Sequence, residues 1–127
     1  MMNEREIREG LVGFTGSETF LRYSPLFPNV VITEGVIWLA ENAQCYWLLD
    51  VIASHLPAVQ RAGETFAVVM IERTSGSGAT VAIVDDIPAN TIYADQLIEY
   101  TDFPLAVLKM YVGYDSENWT VMLIDEY

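Results

Sequence analysis

Cys45, Asp50 and His55 lie close together in the chain, and a thiol, a carboxylate and an imidazole are the parts of a nucleophilic triad. Cys45 is the sole cysteine and His55 the sole histidine among 127 residues. The segment that carries them reads as a helix. At about 100° per residue, positions five apart differ by about 140°, so the three side chains diverge and a triad is not expected. Cys45 reads instead as a small buried hydrophobe, because nothing near it in sequence would lower its pKa. One His and one Cys fall short of every zinc ligand set, and no Asp-rich loop has calcium spacing. Asp85-Asp86 before Ile87-Pro88 reads as turn chemistry, and the Gly13 to Gly16 turn lacks the Lys of a phosphate loop. No metal, cofactor or catalytic residue is expected, and with 18 acidic residues no carboxylate pair can be singled out for acid-base work.

Two groups of residues remain as binding candidates. On a helical wheel Gln44, Trp47, Asp50, Ser54 and His55 share an arc of about 140° on an otherwise apolar helix, which places a tryptophan in a polar stripe. In the structural reading another segment covers this stripe, with Asp50 accepting backbone amides and Trp47 filling core. In the functional reading Trp47 and Asp50 line a groove or interface, since a rigid aromatic beside a carboxylate anchors a partner or a small cation. Tyr100 and Asp102, in the run Tyr100-Thr101-Asp102-Phe103-Pro104, form the second group. The structural reading makes this run a corner in which Asp102 bonds local amides.

The elements that must position these residues follow from periodicity and punctuation. Residues 3–11 carry helix formers with paired charges, and Gly10 and Gly13 bracket the expected end of a short first helix. Residues 19–23 partly alternate and read as a strand, followed by a loop at Ser24-Pro25 and Pro28-Asn29. Thr33 can cap a helix over residues 34–42. Residues 43–56 read as the central core helix, stopped by Pro57. Segments 65–74 and 79–84 are rich in β-branched residues and flank a Ser-Gly-Ser-Gly turn, the pattern of a hairpin, and 91–100, 106–112 and 119–124 are further strand candidates. Helices first and strands afterwards predict an α+β domain spanning residues 1–127, with two or three N-terminal helices packed on one face of a four- or five-stranded antiparallel sheet.

Charge narrows the partners. Eighteen acids against six bases give a net charge of −12, and the cations Arg5, Arg8, Arg22, Arg61, Arg73 and Lys109 are scattered. Nucleic acid needs clustered Lys and Arg to displace counterions, so direct nucleic-acid binding is not expected. The same acidity favours solubility and a basic partner protein. A single cysteine fits a reducing compartment, the charged start of the chain lacks the apolar stretch of an export signal, and no apolar run spans a bilayer, so a cytoplasmic, non-membrane protein is expected.

The phrases FTGSE over residues 14–18, YWLLDVIAS over 46–54 and EYTDFPL over 99–105 resemble a family of small bacterial and phage-related proteins of unknown function, whose chains commonly end in an acidic-aromatic tail such as Glu126-Tyr127. The resemblance spans nearly the whole chain. It implies a bacterial or mobile-element setting and brings no activity, cofactor or site residue with it. The leading expectation is a non-enzymatic binding or interaction domain, compatible with a homodimer through Trp47 or the last strand. The alternative is a small enzyme or ligand-binding domain with a pocket between helices and sheet near Asp50.

Overall fold

A computed structural model of the chain describes residues 3–16, 20–85 and 91–126. The expected readings that involve Ser17 to Thr19, residues 86–90 and Tyr127 lie outside the described residues. At the start of the described chain the Asn3 side chain accepts the Glu6 N–H at 2.9 Å while the Glu6 carboxylate accepts the Asn3 N–H at 3.3 Å. This reciprocal cap starts α1 (Glu4–Leu11), and its exposed side carries the Arg5–Glu9 and Arg8–Glu4 ion pairs. Gly10 sits in the last turn of this helix, whose end at Leu11 falls between Gly10 and Gly13 as expected. A Cβ there would lie 2.1 Å from the Trp38 ring, so the close approach of α1 to the next helix requires glycine.

Thr33 caps α2 (Glu34–Asn42), its hydroxyl oxygen accepting the Val36 N–H at 3.4 Å. Gln44, at a positive φ of 52°, turns the chain into α3 (Tyr46–Arg61). The expected stop at Pro57 is corrected here: Pro57 lies inside α3. Its missing N–H frees one carbonyl, and continuation of the helix buries Val59 completely. The helix ends instead at Gly63, whose φ of 81° lets the Glu64 N–H reach the Val59 carbonyl at 3.3 Å.

Seven strands form one mixed sheet among the described residues: β1 (Phe20–Ser24), β2 (Phe27–Thr33), β3 (Phe66–Arg73), β4 (Ala79–Val84), β5 (Ile92–Ile98), β6 (Val107–Tyr114) and β7 (Trp119–Leu123), in the order β1-β2-β7-β6-β3-β4-β5. The expectation of four or five antiparallel strands is therefore corrected. β2 and β7 run parallel, and the other neighbours are antiparallel. β2 includes the Pro28-Asn29 pair that reads as loop. Both residues precede the first rung to β7, at Val30 and Trp119, and lie within the irregular part of the β1 pairing, so the missing proline donor costs no ladder bond. β7 runs between β2 and β6, so the last strand is interior and cannot serve as the edge contact expected of it.

The core lies between the helices and one sheet face. Val69, Ile71, Ile83, Met110, Val112 and Val121 from alternate strand positions cluster with Leu39, Leu48, Ile52 and Leu56 from α2 and α3. The intervening positions point the other way, and no described helix packs on them. No described helix is long and apolar enough to cross a membrane.

Candidate functional site

The residues of the polar stripe on α3 go to three different places. Asp50 is exposed and accepts a hydrogen bond from the Tyr23 hydroxyl of β1. The expected bonds to backbone amides are thus corrected to a side-chain tie between β1 and α3. Burial, and then this bond and the Asp50 charge, hold the Tyr23 hydroxyl well above the usual tyrosine range. The Ser54 hydroxyl donates to the Val51 carbonyl at 2.8 Å, a bond within its own helix. His55 Nε2 lies 2.8 Å from Oε1 of Gln96. A carboxamide oxygen only accepts, so the ring donates from Nε2 and ties α3 to β5.

Cys45 is buried, its thiol donating to the Leu39 carbonyl at 3.7 Å, and burial pushes its pKa up to about 12. Cys45, Asp50 and His55 each have a separate partner, so the three are not assembled into a triad. Asp85 accepts from the Tyr93 hydroxyl, and that bond holds its carboxyl below the usual range. Among the described residues no group of three or more His, Cys, Asp and Glu side chains is placed to hold a metal ion.

Trp47 and the Tyr100 to Asp102 segment do come together. Gln44, Trp47 and Val51 on one side, and Ile98, Tyr100 and Asp102 on the other, line a groove of about 390 Å³. Trp47 stands edge-on to Phe103, with ring centroids 6.3 Å apart and planes at 82°. Phe103 and Leu105 are buried, anchoring the chain between β5 and β6. The Thr101 hydroxyl oxygen accepts the Phe103 N–H at 3.1 Å, and the Thr101 N–H donates to the Ser77 carbonyl at 2.8 Å. Thr101 therefore makes the local bond expected of Asp102, and the Asp102 carboxylate is left facing solvent. Tyr100 is 79% exposed beside it. The result is a fixed aromatic floor with one exposed aromatic and one carboxylate at the rim, an arrangement suited to a cationic side chain.

Sequence reasoning missed Glu126, Tyr23, Gln96 and Trp119. Glu126 is buried at the N-terminus of α2, where Oε1 accepts from the Thr33 hydroxyl at 2.6 Å and the Leu123 N–H at 3.0 Å, and Oε2 from the Gly35 N–H at 3.1 Å. A carboxylate there complements the positive end of the helix and clasps the chain terminus to α2. The local signal, a glycine in the first turn of α2, says only that something approaches closely. Trp119 is buried beside Ser54 and Pro57 in a cavity of about 260 Å³, and its Nε1 has no hydrogen-bond partner among the described residues.

The model of a family of unknown function, DUF6876, matches residues 5–127. No curated protein and no solved structure matches the chain.

Proposed function

This chain belongs to the DUF6876 family, and from that premise and the groove geometry we propose that it is a non-enzymatic interaction domain whose groove receives a basic side chain of a partner protein. The observation that carries the proposal is the convergence of Trp47, Tyr100 and Asp102 from two distant segments onto one groove. Aromatic faces attract Lys or Arg through the ring quadrupole, and the rim carboxylate supplies the opposite charge. The net charge of −12 steers basic partners toward the molecule over longer range. The cytoplasm, in a bacterium or a mobile element, is the setting this reading carries.

An oligo-lysine peptide, titrated against the protein at low salt with tryptophan fluorescence as the signal, tests this reading, with oligo-glutamate as the control. Binding should weaken about 3- to 10-fold in Tyr100→Ala and in Asp102→Asn, given ~0.5–1.5 kcal/mol for each contact. Equal affinity in both variants would remove the groove from the proposal.

A second reading moves the ligand pocket from Asp50 to the cavity of about 260 Å³ lined by Ser54, Pro57 and Trp119, favoured by its largely apolar walls. The ligand that suits such walls is a small aromatic molecule. A fragment such as acetanilide that raises the melting temperature of the natural chain, and not of a Ser54→Phe variant, supports this reading. No shift in either protein at millimolar fragment counts against it.

A further inference from the structure

We infer that two copies of this chain pair through the sheet face turned away from the helices. Cross-strand register defines that face: Met70 lies beside Lys109, Glu72 beside Val107, Tyr111 beside Met122, and Ala82 beside Asp95. All alternate with the core positions. A solvated sheet face normally carries polar residues. Here Phe20 is 53%, Leu97 60% and Val107 44% exposed, with Met70 and Met122 half-buried between them. Apolar surface of this extent marks an interaction site.

Charge identifies the occupant. The face carries two cations, Arg22 and Lys109, and two acids, Glu72 and Asp95, with Asp115 and the buried Glu126 at its notch, so it holds only a small share of the chain's net charge of −12. A second copy therefore meets little like charge across this face. A basic partner is drawn instead to the acidic remainder of the surface. Size agrees as well. Seven strands at ~4.8 Å spacing and about five residues of ~3.3 Å rise make a flat footprint of roughly 500 Å², before side-chain relief is counted, the scale of the ~800 Å² per partner that stable interfaces bury. Gly113 leaves a notch of about 480 Å³ bordered by Phe20, Thr120 and Met122, which a side chain of the second copy can fill in an isologous two-fold contact. The groove at Trp47 lies on the helix side of the sheet, so pairing does not depend on the binding role given to that groove.

Light scattering coupled to size exclusion on the full chain, at moderate salt and over a range of concentrations, tests this inference. The natural chain should run at twice its 14.3 kDa mass. Lys109→Glu alters an exposed side chain and leaves the core intact, and it should raise the dimer dissociation constant at least ~10-fold through like-charge contact. Met122→Glu should give a monomer, with circular dichroism confirming the fold. Tyr100→Ala, on the helix side, should remain dimeric. A monomer at the highest soluble concentration, or a dimer that withstands both face substitutions, would overturn the inference.

Discussion

Glu126 ties together groups far apart in the chain, because one carboxylate accepts from Thr33, Gly35 and Leu123. Glu126→Ala leaves these buried donors without that acceptor and should cost about 2–4 kcal/mol in chemical denaturation, since bonds to a charged group contribute ~1.5–3 kcal/mol each and are not additive. Gly35→Ala should destabilise in the same direction, because a Cβ there falls 2.6 Å from Glu126 Oε1 and 2.6 Å from Leu123 Cδ1. Cys45, with its raised pKa and buried thiol, should react with a disulfide reagent at pH 8 only at the rate of unfolding. Rapid labelling of the native protein would contradict its burial. At this scale the sequence showed Cys45 as a hydrophobe and Trp47, Tyr100 and Asp102 as candidates. Glu126 was illegible, because Thr33 is 93 positions away and only the folded sheet brings them together. Asp50 was misread for a related reason: its partner Tyr23 comes from β1, beyond the reach of helical periodicity.

Elements whose signals are local were legible, and those fixed by distant partners were not. The caps of α1 and α2 lie within three residues of the amides they bind, and Thr33 was legible as the start of α2. β2 takes its identity from a parallel pairing with β7 some ninety residues later, and its own Pro28-Asn29 argues for a loop. Pro57 shows tertiary burial overriding a local breaker, since Val59 beyond it is fully buried. Pro57→Ala restores a backbone donor at an exposed helix position and should raise stability by about 1–3 kcal/mol in thermal or chemical unfolding. A loss of stability would mean that the proline ring makes contacts worth more than the bond it removes. At the β6–β7 turn, Asp115 Oδ1 accepts the Asn118 N–H at 2.7 Å and the Glu117 N–H at 2.9 Å, and these bonds lower its pKa from the ordinary 3.8. A lowered folded pKa contributes stability that is present above the unfolded value and is lost as pH falls through the folded one. Asp115→Ala should therefore be less stable than the natural chain at neutral pH, and the difference should shrink as pH falls below 3.8.

For the molecule as a whole, the order of helix and strand signals foretold an α+β fold but neither a parallel strand pair nor a sheet with one apolar outer face. Alternation along β3 is weak because both of its faces carry apolar side chains, so the outer face could not be separated from the core before the register was known. The same register sets the two proposed surfaces on opposite sides of the sheet: a groove with a carboxylate rim beside α3, and an apolar face of low net charge for a second copy. Partner binding at the groove should weaken steeply with salt, whereas pairing through the apolar face should hold or strengthen, because salt screens the repulsion between two chains of net charge −12 and leaves apolar contact in place. The binding role of the groove is tested most directly by heteronuclear NMR of the protein titrated with oligo-lysine. The account predicts that the largest shifts fall on the Trp47 indole N–H and on the amides of Tyr100, Thr101 and Asp102. Shifts spread evenly over the exposed acids of α1 and the β6–β7 turn, with Trp47 unmoved, would contradict it.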